Sequence, residues 1–152
     1  MAYGTAQARK EMLDAFAAAI RELGVALAAL GAAYEQLDEN AADRLEAELF
    51  RPVQTAYGRA QRTYAAFASR HELPRRSFLP APQPAPSTQV AALVESAAEH
   101  VARADETIAE EQDSMRPVEV GDQELRAGLA EVRSTIDQFR VRSRRLASGF
   151  GR

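Results

Sequence analysis

Large apolar side chains recur at alternating steps of four and three residues along the first quarter of the chain. The positions are Met12, Phe16, Ile20, Leu23, Leu27, Leu30, Tyr34 and Leu37. This spacing is typical of an amphipathic helix with one apolar seam. Alanine is the commonest residue between these positions, so we predict a helix over residues 5–37 that is apolar on more than one face and lies centrally or at a subunit interface. Gly24 and Gly31 share a face and indicate the close approach of a neighbouring backbone.

The same alternation of four and three continues in three later parts of the chain. The predicted helices cover residues 41–72, 88–115 and 122–148. Asn40 is the predicted N-cap of the second helix and Ser87 or Thr88 that of the third, since these side chains accept hydrogen bonds from first-turn N–H groups. Pro52 falls inside the second helix, where its missing N–H predicts a kink or a break. Asp122 opens the fourth helix.

The connection between the second and third helices is rich in proline. Residues 74–87 hold five of the seven prolines, which favours an extended polyproline II conformation. At about 3.1 Å per residue such a segment is long enough to run the length of a helix and make the third helix parallel to the second. Two alternatives remain: a looped-out linker with an up-down-up-down arrangement, or a linker that lets hairpins of two chains pair.

The fold class that follows is all-α. We predict a four-helix antiparallel bundle of two helical hairpins joined by a long Pro-rich crossover, because the other two connections are short and force neighbouring helices to be antiparallel. A chain of 152 residues has the size of one ordinary domain, so residues 1–152 are predicted to form a single helical-bundle domain.

Composition narrows the class of protein and its location. The net charge of −3 argues against a strongly basic nucleic-acid binder, and the absence of cysteine excludes disulfides, thiolate metal sites and cysteine nucleophiles. Lys10 is the only lysine among the 19 cationic residues, a bias that indicates a bacterial protein from a GC-rich genome. The uncharged run of residues 23–34 is too short to span a bilayer. We therefore predict no membrane span and a cytoplasmic location.

The sequence offers no pattern for a cofactor or a catalytic site. A di-iron bundle needs Glu-x-x-His on two helices, and the residues three positions before His71 and His100 are alanines. We expect His71 to lie at a helix C-terminus and His100 to be exposed or hydrogen-bonded. The predictions are accordingly no metal, no cofactor and no enzymatic activity.

Two groups of side chains are candidates for binding. An arginine-rich segment in the fourth helix could contact phosphates of nucleic acid, and an aromatic group could line a pocket for a small apolar ligand inside the bundle. The possible phosphate contacts are Arg140, Arg142, Arg144 and Arg145. The possible pocket-lining residues are Tyr34, Tyr57, Tyr64 and Phe67.

The prediction that these observations favour is a non-enzymatic interaction or scaffold module that self-associates or binds a protein partner. Its contacts are expected on the outer faces of the first two helices, because an apolar face of this kind is commonly buried by a symmetric partner. The alternatives are an accessory nucleic-acid-binding protein that uses the C-terminal arginines and a carrier of a small apolar ligand.

Overall fold

The computed structural model describes the backbone of residues 2–150 and the side chains of residues 4–146, and every regular element in that part of the chain is helical. The elements are α1 (Ala2–Gln36), α2 (Glu39–Leu45), a π-helical turn (Glu46–Phe50), α3 (Arg51–Arg70), α4 (Val90–Asp113), α5 (Arg116–Glu119) and α6 (Gln123–Phe150). The predicted all-α class is confirmed. The second predicted helix is divided into α2, the π turn and α3, and the short α5 was not predicted.

The helix starts show which side chains act as caps. Asp38 and not Asn40 is the N-cap of α2: its backbone is extended, and its Oδ1 accepts a hydrogen bond from the N–H of Ala41 at 2.9 Å. The predicted cap at Ser87 or Thr88 is also wrong, since α4 begins at Val90 after Gln89, which makes no capping side-chain bond. The N-terminus of α6 is as predicted, because Asp122 Oδ1 accepts a hydrogen bond from the Leu125 N–H at 2.8 Å.

Pro52 is accommodated without a break in the helix. The five residues of the π turn lie directly before Arg51, whose N–H donates to the carbonyl of Glu46. The backbone keeps right-handed helical angles at Leu45, Phe50 and Arg51. In a π turn each hydrogen bond joins residues five apart instead of four. This shift of one residue in the bonding pattern accommodates Pro52, which has no N–H to donate. The helix thus continues through a local widening instead of the predicted break, and the predicted kink stays a prediction.

The packing partners of α1 and α6 fix the direction of each helix. The most extensive contact of α1 is with α4. Gln36 at the end of α1 donates to the carbonyl of Thr88, just before α4, at 2.7 Å, and Glu22 lies 2.5 Å from His100 midway along both helices. These two helices are therefore antiparallel. The contact of α6 with α3 is antiparallel in the same way.

Ion pairs at the two ends define the α3–α6 contact. Arg70, the last residue of α3, binds Asp122 just before α6 at 2.8 Å. At the opposite end Arg142 lies 3.6 Å from Glu48 in the π turn. Because α1 is antiparallel to α4 and also to the α2–α3 stretch that follows it through a short turn, α3 and α4 run parallel.

The Pro-rich segment connects these parallel helices along the side of α1. Arg76 binds Asp14 at 2.9 Å near one end of the segment, and Thr88 accepts from Gln36 near the other. Asp14 and Gln36 are about 33 Å apart along a helix that rises 1.5 Å per residue. The ring of Phe78 packs edge-on against that of Tyr64, with 5.7 Å between the ring centroids. The segment is thus in contact with the helices at both ends rather than looped away from them.

The apolar surplus of α1 is buried within the same chain. Outside the seam the buried residues of α1 are Leu13, Ala17, Ala19, Ala26, Ala29 and Ala33. Their short side chains suit the close packing of α4, so α1 occupies a central position. This burial removes most of the apolar surface that the sequence offered for a subunit interface along α1.

The glycines of α1 do not mark a backbone contact. A Cβ added at Gly24 would meet the ring of Tyr57 at 3.4 Å, and one at Gly31 would meet nothing within 4 Å, so that prediction is wrong. The tight approach is at Gly128 of α6, where a Cβ would lie 2.4 Å from Oγ1 of Thr63 in α3. A glycine at this position lets α3 and α6 pack closely.

The hydropathy of α1 bears on the predicted absence of a membrane span. Residues Gly4–Gln36 form a 33-residue stretch whose most apolar 18-residue window has a mean hydropathy of 1.6, enough by length and composition to cross a bilayer. In the structure 56% of that window is buried. A core helix of a soluble protein has the same character, so the absence of a membrane span stays a prediction.

Candidate functional site

The four candidate arginines of α6 divide into two pairs. Arg140 binds Asp105 at 3.2 Å, and Arg142 lies 3.6 Å from Glu48. These two side chains already neutralise carboxylates of the same molecule. Arg144 and Arg145 are exposed and make no ion pair with any residue that the structure describes.

A half-exposed apolar side chain lies beside these two free arginines. Val141 is 47% exposed, and Arg144 and Arg145 follow it by three and four residues, which places all three on one face of α6. We call Val141, Arg144 and Arg145 the basic face. An apolar centre with two flanking cations suits contact with an apolar groove that carries carboxylates at its edge.

The four candidate aromatic residues do not share a pocket. Phe67 is fully buried and Tyr64 is 3% exposed, whereas Tyr57 lies half-buried with its ring on Gly24. The interior void described near this core, between Met12 and Leu129, has a volume of only about 10 Å³. That is about the space of one water, so this particular void is too small for an apolar ligand.

Tyr34 instead borders a groove on the outer side of α1 and the π turn. The groove has a volume of about 400 Å³ and is lined by Gly31, Tyr34, Glu35, Glu46 and Phe50. Tyr34 is 40% exposed, and the missing side chain of Gly31 leaves open space at its base. We call this the Tyr34 groove.

The π turn shapes the second wall of the Tyr34 groove. Glu46 and Phe50 are the first and last residues of that turn, and Phe50 packs partly against the core. A single turn of π helix displaces the side chains that follow it relative to an α-helix, and such turns are frequent at functional sites. Pro52 lies two residues after the end of this turn and has no N–H to donate within the helix, which favours a widened turn at this place.

The edge of the Tyr34 groove is acidic. Glu35 is exposed and Glu46 is half-buried, and neither makes an ion pair with another described residue. The other glutamate of the π turn, Glu48, is already paired with Arg142. The groove therefore combines two aromatic walls with two unneutralised carboxylates, an arrangement that fits an apolar side chain flanked by cations.

The histidines serve structural contacts. His71 is the C-cap of α3, as predicted, and its Nε2 lies 2.9 Å from Asp122, while His100 lies beside Glu22 on another helix pair. The described residues contain no group of three or more His, Asp or Glu side chains that could hold a metal ion.

The comparisons with known proteins leave the chain without a relative to guide these assignments. No protein-family model matches the sequence, and neither the curated proteins nor the solved structures contain a match. The function must therefore be argued from the geometry of the described residues.

Three residues of the candidate site were singled out from the sequence: Tyr34, Arg144 and Arg145. The others received no role there: Glu35, Glu46, Phe50 and Val141. The signal that could have found Glu46 and Phe50 is Pro52, because a proline inside a strong heptad series favours a π turn or a kink just before it. The pairing of Arg140 and Arg142 with acids distant in sequence could not be anticipated from spacing.

Proposed function

We propose that the protein is a non-enzymatic, self-associating module built as a four-helix bundle of two hairpins with a Pro-rich crossover. In this proposal the Tyr34 groove of one copy receives the basic face of α6 of a second copy. The observation that carries it is the complementarity of two unpartnered surfaces on one chain, the acidic aromatic groove and the face formed by Val141, Arg144 and Arg145. The proposal takes the protein to be cytoplasmic, with α1 as a core helix.

Symmetry supports a closed dimer rather than a chain of copies. If the groove of the first copy holds the basic face of the second, a two-fold axis also places the groove of the second against the basic face of the first. Each dimer then contains the contact twice. Both surfaces lie toward the same end of the molecule, since Arg142 in α6 contacts the π turn.

The expected strength of this contact is modest and depends on salt. Burying the exposed half of Val141 contributes about 1 kcal/mol, and each exposed ion pair about 0.2–1 kcal/mol. Symmetry makes each of these contributions twice in the dimer, and together they act against the entropy lost on association. We expect a weak dimer that weakens further as the ionic strength rises, because the carboxylate–arginine contacts lie at the edge of the groove, where salt screens them.

A charge-exchange experiment tests the proposal. One variant carries Arg144→Glu with Arg145→Glu, and the other carries Glu35→Arg with Glu46→Arg. Each variant alone should be monomeric in sedimentation-velocity ultracentrifugation, because its groove and its α6 face carry the same sign. An equimolar mixture should form a heterodimer, since both contacts in the mixed pair again join opposite charges.

The control uses exposed arginines elsewhere on the surface. Arg62 and Arg103 are exposed and unpaired among the described residues, so Arg62→Glu with Arg103→Glu changes the net charge equally and should leave the dimer intact. A mixture that stays monomeric overturns the proposed contact. If the α6 variant instead loses binding to single-stranded DNA and the mixture restores nothing, the nucleic-acid alternative replaces self-association.

A further inference from the structure

A second groove lies on the opposite half of α1, where the Pro-rich segment begins. Its walls come from the N-terminal part of α1, the end of α3 and the chain just after α3, and it has a volume of about 410 Å³. The lining residues are Ala6, Lys10, Leu13, Asp14, Tyr64, Leu73, Pro74, Arg75 and Arg76. A volume of this order is typical of a small-molecule site.

The charged part of this groove is cationic. Three cations line it against one carboxylate, and that carboxylate, Asp14, is shared by Lys10 at 3.0 Å and Arg76 at 2.9 Å. The hydrogen bonds from Lys10 and Arg76 hold the pKa of Asp14 below its usual range, so it stays ionised and satisfied. Arg75 is exposed and has no ion-pair partner among the described residues. The groove therefore keeps an excess of positive charge.

Tyr64 gives the groove a hydroxyl that can donate a hydrogen bond. The residue is only 3% exposed, and its ring lies between those of Phe16 and Phe78. The distances between ring centroids are 6.1 Å to Phe16 and 5.7 Å to Phe78. The hydroxyl makes no hydrogen bond to any described residue, and its oxygen stays accessible from the groove although the ring is buried. Burial raises the pKa of Tyr64, so the hydroxyl keeps its proton for donation.

The remaining wall is apolar. Leu13 is buried in the core, and Leu73 packs partly against it, while Pro74 follows directly along the chain. Cations and a hydroxyl donor thus lie beside an aliphatic surface in one groove. A ligand that satisfies all of them has an anionic head and an apolar body.

We propose that this groove binds a small amphiphilic anion, with its carboxylate or phosphate held by Arg75, Lys10 and the Tyr64 hydroxyl and its apolar body against Leu13 and Leu73. The head group is bound by charge and by the accessible hydroxyl of Tyr64. The chain of the ligand takes the place of water on the aliphatic wall. This site is separate from the Tyr34 groove and does not depend on self-association.

Three probes separate the two parts of the proposed recognition. Isothermal titration calorimetry on the full chain would compare octanoate, octan-1-ol and inorganic phosphate. Octanoate should bind at least about tenfold more tightly than octan-1-ol, which lacks the charge, and than phosphate, which lacks the apolar body. Equal affinity for octanoate and either of the other probes overturns the proposal.

Two variants test whether octanoate binds in this groove. Tyr64→Phe keeps the ring packing and removes only the hydroxyl, and it should weaken octanoate binding by about tenfold. Arg75→Gln breaks no ion pair among the described residues and should weaken it by about twofold to fivefold, as expected for an exposed charge. The matched controls are Tyr57→Phe in the same helix and Arg103→Gln on α4, which should bind as the parent does. Unchanged binding by both Tyr64→Phe and Arg75→Gln overturns the assignment.

Vesicles distinguish the source of the anion. A co-sedimentation assay measures whether the protein pellets with phosphatidylglycerol vesicles but not with phosphatidylcholine vesicles. If it does, and octanoate then releases it from the phosphatidylglycerol vesicles, the ligand is a lipid headgroup with its chain. If octanoate binds with the expected variant dependence and vesicles have no effect, the ligand is a free amphiphile. Either result leaves the groove and its chemistry as proposed.

Discussion

The close contact of α3 and α6 at Gly128 makes a substitution there informative. Replacing an interior helical glycine by alanine ordinarily stabilises a helix by about 1 kcal/mol. At Gly128 the new Cβ would lie 2.4 Å from Oγ1 and 2.5 Å from Cγ2 of Thr63, whereas carbon atoms in contact are about 3.5–4 Å apart. Thr63 is short, branched at Cβ and 7% exposed, so it has no free rotamer to adopt. The two helices must therefore separate by about 1 Å.

The net effect follows from these two opposing terms. Overpacking of a close helix contact costs about 1–3 kcal/mol, which equals or exceeds the gain in helix propensity. We expect Gly128→Ala to lower the free energy of unfolding by up to about 2 kcal/mol and the melting temperature by up to about 8 °C. Gly58→Ala is the matched control, because its Cβ would meet only the guanidinium of the exposed Arg62 at 3.2 Å, which can move away. That variant should be as stable as the parent or slightly more stable.

A double-mutant cycle isolates the contact itself. Thr63→Ala removes both of the nearest atoms, so Thr63→Ala with Gly128→Ala should recover about 1 kcal/mol or more relative to the sum of the single effects. Urea unfolding followed by far-ultraviolet circular dichroism gives the four free energies. The reasoning fails if Gly128→Ala is as stable as Gly58→Ala, or if the cycle shows no coupling, since either result means that α3 and α6 are not in contact at these residues.

Two further predictions concern carboxylates that pair with arginine. The hydrogen bond from Arg70 holds the pKa of Asp122 well below its usual range. The stability that the ionised carboxylate contributes is therefore present above about pH 4 and is lost as the pH falls further. Asp122→Asn should destabilise the protein at neutral pH and reduce this loss of stability in acid, measured by urea titrations between about pH 3 and 7. Glu111 is 5% exposed and pairs with Arg116 at 2.6 Å, so Glu111→Gln should cost about 1–3 kcal/mol, whereas Glu110→Gln on the exposed side of α4 should be neutral in the same assay.

Local sequence signals predicted the elements of this fold well where a side chain and its neighbours along the chain decide the outcome. The heptad seam of the fourth helix is buried at every position from Leu125 to Leu146, and Asp122 caps that helix as expected. The prediction of the N-cap was wrong at α2, where two candidate residues lie within a few positions of each other. Asp38 and Asn40 are both able to accept the N–H bond, but only Asp38 lies at the helix start with the extended backbone of a cap.

The candidate site depends on distances that spacing along the chain does not contain. Tyr34 continues the seam of α1, yet it is 40% exposed because the wall formed by the π turn leaves a groove beside it. Likewise Arg140 and Arg144 have the same side chain. Arg140 is neutralised because Asp105 of α4 lies beside it, whereas Arg144 has no ion-pair partner among the described residues. No periodicity argument distinguishes such positions, since each depends on the register of one helix against another.

The sequence by itself determined that the chain is helical, where its long helices lie and that a proline-rich segment joins two halves, because helix periodicity and proline geometry are properties of adjacent residues. The tertiary structure decided which surfaces remain unsatisfied. Packing of α4 on α1 buried the alanine-rich face that had indicated an interface, and the π turn before Pro52 opened the Tyr34 groove. The proline-rich segment placed Arg75 and Arg76 beside Tyr64. These outcomes arise from contacts between residues far apart in the chain, whose free energies depend on the whole arrangement of helices.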